Sequence, residues 1–101
     1  MENKNIGKYC IFRGNRSGVF AGTLDKQDGS IVTITGCRRL WYWEGACSDF
    51  EIAQIGTAKP DECKFTVTVD EITITDCIEI IPATAEAEKV IKAVEEWKSK
   101  K

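Results

Sequence analysis

Histidine is absent from the 101-residue chain. That gap removes Ser-His-Asp and Cys-His catalysis, imidazole-ligated metals and a histidine pH switch. The five cysteines form no Cys-x-x-Cys pair, which excludes a zinc ribbon or a thioredoxin-type centre. Long apolar runs are missing as well, and none approaches the roughly 18 residues that a membrane span requires. Residues 1–9 are polar and lack the apolar stretch of a secretion signal. Together with the odd cysteine count, this predicts free thiols in a reducing cytoplasm. The net charge is −2, from 14 basic and 16 acidic residues, thin support for phosphate-driven binding to long nucleic acid. No cofactor or metal is expected.

What remains is an ordinary soluble composition, 43% hydrophobic and 30% charged, of a length that suits one domain over residues 1–101. Residues 1–81 read as a β-rich core. Strands are predicted at 8–13, 19–24, 30–35 and 37–43, with a glycine-flanked turn at 14–18, a hairpin loop at 25–29 and a bend or bulge at Gly36. Cys10, Cys37 and Cys77 fall inside these β-rich runs and read as small buried hydrophobes. Ser48 is a helix cap, with Asp49 and Glu51 in the first turn and Gly56 as the stop, so a short helix is predicted near 46–55. Further β-rich runs occupy 65–69 and 71–81.

Beyond Pro82, Thr84 caps a helix predicted over 83–98. Its apolar stripe is Ala87, Val90, Ile91, Val94 and Trp97, with Lys98, Lys100 and Lys101 at the negative end. Strands first and helices later give an α+β class. The expected architecture is a curved antiparallel β-sheet or small barrel of five to six strands, a short middle helix and an amphipathic C-terminal helix.

The densest chemistry lies between residues 13 and 43. All four arginines, Arg13, Arg16, Arg38 and Arg39, fall there, and residues 8–43 carry a net charge of +4 against −4 for residues 51–101. A positive patch in an acidic protein marks a local anion site. In an extended chain, Arg39, Trp41 and Trp43 share one face, and Arg38, Leu40 and Tyr42 the other. Guanidinium groups grip phosphate through paired hydrogen bonds, and an indole stacks a base for roughly 1–3 kcal/mol. The same residues also suit a small β core with arginines at its rim. Arg13-Gly14-Asn15-Arg16-Ser17-Gly18 is a second candidate, a turn whose main-chain N–H groups can approach an anion, with Arg16 and Ser17 at its tip. The candidate ligand-binding set is therefore Arg13, Arg16, Ser17, Arg38, Arg39, Trp41 and Trp43. Asp70, Glu71, Asp76 and Glu79 read as the edge of a solvated strand.

The motifs Ser17-Gly18-Val19-Phe20-Ala21-Gly22, Arg38-Arg39-Leu40-Trp41-Tyr42-Trp43-Glu44-Gly45-Ala46 and Val69-Asp70-Glu71-Ile72 resemble a family of small phage and prophage proteins of unknown function. That resemblance implies a viral origin and a location in the host cytoplasm. The size and the sheet-then-helix layout are also similar to the Thoeris anti-defence proteins, sponges that bind cyclic ADP-ribose-type or cyclic oligonucleotide immune signals without degrading them. The expectation that follows is a non-enzymatic homo-oligomer that sequesters a small nucleotide signalling molecule, with no membrane partner. The alternatives are an accessory protein binding single-stranded nucleic acid and a structural or protein-interaction module.

Overall fold

The alternating apolar residues of the first 80 positions pair into one antiparallel sheet. The computed structural model describes residues 4–99, so Lys100 and Lys101 of the predicted helix end lie outside the described residues. Its elements are β1 (Tyr9–Gly14), β2 (Val19–Asp28), β3 (Ile31–Tyr42), α1 (Asp49–Ile55), a 3-10 turn (Pro60–Glu62), β4 (Lys64–Phe65), β5 (Val69–Ile74), β6 (Cys77–Pro82) and α2 (Ala85–Ala93). The protein is α+β, with an open six-stranded sheet in the order β4-β3-β2-β1-β6. β5 lies beside β4 along the same edge of β3, pairing with Val32 to Cys37 while β4 pairs with Leu40 and Tyr42. Only Thr75 and Asp76 separate β5 from β6 in the chain, although the two strands lie on opposite edges of the sheet. So short a link curls the sheet at that end.

Both faces of the sheet are covered. Tyr9, Ile11, Ala21 and Leu40 pack beneath the helices against Ile52, Ala53, Ala87 and Ile91. Cys10, Phe12, Phe20, Val32, Ile34, Cys37 and Ile74 fill the opposite side, inside the curl. Burial pushes the Cys10 thiol up to about 11 and the Cys37 thiol up to about 12, so both act as small hydrophobes in a dry core. Cys77 is only half-buried.

Several predicted boundaries differ from the fold. β2 runs on through most of the predicted 25–29 loop to Asp28, only Phe65 and Val69 of the predicted 65–69 run lie in strands, and the middle helix begins at Asp49 and not at 46. The third and fourth strands are one strand, β3, and Gly36 is a bulge within it at φ 54°. Opposite it, one residue of β2 (Gly22, between Ala21 and Thr23) faces two of β3 (Gly36 and Cys37, between Thr35 and Arg38). A bulge reverses the alternation of side chains. Val32 and Ile34 therefore share a face with Cys37, and Arg38 turns toward the helices. The predicted run at 71–81 is split by Thr75 and Asp76 into β5 and β6.

The C-terminal helix is shorter than its stripe. It stops at Ala93, where Val94 takes an extended ψ of 128°. The tail then runs parallel to Phe65, and the Trp97 N–H donates to the Phe65 carbonyl at 2.8 Å. An unpaired edge at β4 thus outcompetes another helical turn. Thr84 does cap α2, accepting from the Ala87 N–H at 3.0 Å, and Ser48 caps α1 through the Glu51 N–H at 3.3 Å. No described helix is long and apolar enough to cross a membrane.

Gly56 ends α1 at φ 80°, and a Cβ there would lie 2.6 Å from the Val90 Cβ of α2. A side chain would add backbone strain to a steric clash. Gly56→Ala is expected to cost about 2–4 kcal/mol, read as a lower urea midpoint with an unchanged slope.

Candidate functional site

The bulge at Gly36 sends the two adjacent arginines to opposite sides of the sheet. Arg38 is only 3% exposed. Its Nε donates to the Thr66 carbonyl at 2.9 Å, its Nη1 to those of Ile91 and Val94 at 2.9 Å each, and its Nη2 to that of Phe65 at 3.3 Å. The guanidinium also lies 5.5 Å from the centre of the Phe65 ring. It therefore caps the open carbonyls of α2 and fastens them to β4. Burial pulls its pKa down, and the nearby Tyr9 and Glu96 draw it back up. Arg38 is corrected from a ligand-binding residue to a structural one, because its donors are spent inside the protein.

Ser17 lines a groove, but its donors are spent inside the protein as well. The 14–18 turn does hold an anion, and that anion is the protein's own Asp76 carboxylate. The N–H groups of Arg16 and Ser17 donate to Asp76 Oδ2 at 2.7 and 3.0 Å, and Ser17 Oγ donates to Oδ1 at 2.6 Å. The Ser17 hydroxyl bond and then the Arg16 N–H hold the Asp76 carboxyl below its ordinary range. Asp76 is thus a loop-fixing acid and not part of a solvated strand edge.

Ser17 and the other five predicted residues gather around two adjoining grooves. Arg16, Ser17, Arg39, Trp41 and Trp43 line one groove of about 410 Å³ with Gly18 and Val19. Arg13, Arg16 and Trp43 line the second, of about 490 Å³, with Asn15, Ser48 and Asp49. Arg16 and Trp43 belong to both. Arg39 leans over the Phe20 ring, 4.9 Å from its centre, with part of its surface open. Trp41 is 59% exposed and stacks on Trp97, with centroids 6.1 Å apart and planes 17° from parallel. Trp43 is half-buried, with part of its indole on the helix-side core and part on the grooves. It therefore combines the two roles that its residue type allows. Among the described residues no arginine enters an ion pair, so Arg13, Arg16 and Arg39 keep their charge for a ligand.

Two buried acids at the second groove were not legible as such. Asp49 opens α1 yet is only 6% exposed, and it lines the second groove. Glu79 reaches it from β6, where it sits opposite Arg13 of β1. Asp49 Oδ2 and Glu79 Oε1 are both cut off from water, and neither meets a donor among the described residues. Burial, then a hydrogen bond to Asp49 and the repulsion of its charge, push the Glu79 carboxyl up, while Arg13 draws it down. The only signal in the chain was an acid in a first helical turn, and solvent-facing acids give the same signal.

Two measurements check this electrostatic reading. Arg38→Lys leaves one compact ammonium where four carbonyls converge, and it is expected to lose about 2–3 kcal/mol in urea unfolding, with faster hydrogen exchange at the Trp97 N–H. Glu79 has a raised carboxyl in the folded state. Its stabilising contribution is full below its ordinary value of 4.5 and is lost as pH rises through the shifted one. Glu79→Gln is therefore expected to melt higher than the wild type at pH 8 and to lose that advantage at pH 4.

Comparison with curated proteins and with solved structures finds no match. The match to a family model covers residues 7–91, which takes in every strand, α1 and the residues that line both grooves. On that span the chain belongs to a family of domains of unknown function, DUF6948.

Proposed function

We propose that this protein binds a phosphate-bearing nucleotide without transforming it, and that it acts in the host cytoplasm as a sponge for a nucleotide immune signal. The observation that carries the reading is the convergence of Arg16, Arg39, Trp41 and Trp43 on one open groove, with no ion pair to either arginine among the described residues. Arginine offers a planar pair of donors to phosphate, and tryptophan offers a face to a base. Sequestration needs no general base, in keeping with a chain that has no histidine. The cyclic ADP-ribose-type and cyclic oligonucleotide signals combine phosphate with adenine-like rings and suit this pairing. An open groove covers one side of such a ligand. A second copy of the chain, closing over it as a homo-oligomer, would enclose the rest.

A protein-interaction surface is the second reading, favoured by the exposed Trp41–Trp97 stack beside the groove. Calorimetric titration with cyclic ADP-ribose isomers and with cyclic di- and trinucleotides separates the two. The expected outcome is micromolar or tighter binding of at least one ligand, weakened about tenfold or more by Arg39→Ala and by Trp43→Ala. No binding below millimolar across the panel, with Arg39→Ala changing the assembly state alone, would replace nucleotide binding by the interaction surface.

A further inference from the structure

The concavity around Arg39 does not end with the groove that carries Trp41 and Trp43. A third groove, of about 240 Å³, adjoins it, and Arg39 and Trp41 line both. The first reaches toward the 14–18 turn and the start of β2, and the third toward the connection between β4 and β5 on the other side of β3. Resting on the nucleotide-binding reading, we propose that the third groove holds a second ring, so that the ligand is a nucleotide of two ring systems joined through phosphate, with the joining phosphate on Arg39.

The chemistry of the lining supports the assignment. Val67 is 37% and Val69 43% exposed, and Ile72 beside them is half-buried. With Trp41 they form an open apolar patch next to a charged group. The polar side chains there are already used. The Thr66 hydroxyl accepts from the Arg39 N–H at 2.8 Å and donates to the Val67 carbonyl at 3.1 Å, and Cys37 is buried. Apart from Arg39, a sugar or a second phosphate would meet no free polar side chain on these walls. An aromatic ring would meet an indole and branched aliphatic side chains.

Arg39 is placed to serve both grooves. Its guanidinium stands over the Phe20 ring, 4.9 Å from the centre, and makes no hydrogen bond or ion pair among the described residues. Its main-chain groups, by contrast, are tied to Thr66 on both counts, so the backbone that carries the side chain is fixed. A guanidinium has five N–H donors, enough for both free oxygens of a phosphodiester. At about 240 Å³ the third groove is smaller than the roughly 300 Å³ at which sites for whole ligands begin, which suits one ring of a larger molecule. A second stacked ring raises affinity without adding charge.

The test titrates cyclic di-adenosine and cyclic di-guanosine monophosphate against adenosine and guanosine monophosphate by calorimetry. Near pH 8 all four probes carry about two negative charges, so the comparison reads the second ring and not the charge. The wild type is expected to bind at least one cyclic dinucleotide about tenfold or more tightly than the matching monophosphate. Val67→Gln puts a longer, polar side chain on the wall of the third groove and is expected to cut that preference about fivefold. The wild-type comparison needs no variant, so a folding defect in Val67→Gln leaves the proposal open to refutation. Equal binding of dinucleotide and monophosphate by the wild type overturns the two-ring assignment, and so does a folded Val67→Gln that keeps the full preference. If a cyclic ADP-ribose isomer or a monophosphate binds while neither cyclic dinucleotide does, the two-ring assignment falls and the nucleotide-binding reading stands. If nothing binds, that reading falls first and takes the two-ring assignment with it.

Discussion

The buried guanidinium of Arg38 holds the molecule together where its sheet meets its C-terminal segment. Removing a cation from water is costly, and the cost is offset here by four main-chain carbonyls from two separate stretches of chain. Those carbonyls are themselves groups in need of donors. Ile91 and Val94 lie at the end of α2, and Phe65 and Thr66 lie at or just beyond β4. One side chain thus answers several buried polar groups at once. It also brings the tail to rest on Phe65, which places Trp97 against Trp41.

That arrangement depends on a local irregularity. Without the bulge at Gly36, strict alternation would place Arg38 on the face of Ile34 and would leave Arg39 facing the helices. The extra residue reverses the alternation. Arg38 and Leu40 go into the helix-side core, and Arg39 and Trp41 go to the groove side. The same bulge thus separates a structural arginine from a ligand-facing one. Gly22 of β2 allows the close approach, because a Cβ there would stand 2.5 Å from Ile34 Cγ2 and 3.1 Å from the Cα of Cys37.

Carboxylates shape the grooves in two opposite ways. Asp76 is charged and fully served by donors from the 14–18 turn, so it fixes the loop that presents Arg16. Asp49 and Glu79 face each other beneath the neighbouring groove, each with one buried oxygen that no donor among the described residues reaches. The first carboxylate fills a nest that residue types alone would assign to a ligand. The second pair is buried where residue types alone would assign it to solvent. Neighbouring arginines remain exposed beside both, and this keeps the positive charge of residues 8–43 at the surface where a phosphate can reach it.

Much of the fold was written locally. The α+β class, the strands at β1 and β2, the caps at Ser48 and Thr84 and the Arg39–Trp41 part of the predicted Arg39, Trp41 and Trp43 face follow from alternation, capping chemistry and glycine placement, which act over a few residues, whereas Trp43 lies past the end of β3 and packs on the helix-side core. Six of the seven predicted site residues also reach the grooves, because the 14–18 turn and the end of β3 lie side by side. Long-range pairing decided the rest. Which of two adjacent arginines is buried depends on a bulge opposite β2. Whether Ser17 is open depends on an acid 59 residues away. Where α2 ends depends on an edge at Phe65. The acid pair exists only because β6 and α1 meet. In every one of these cases the deciding partner is distant in the chain, and local residue type does not encode which distant group will arrive.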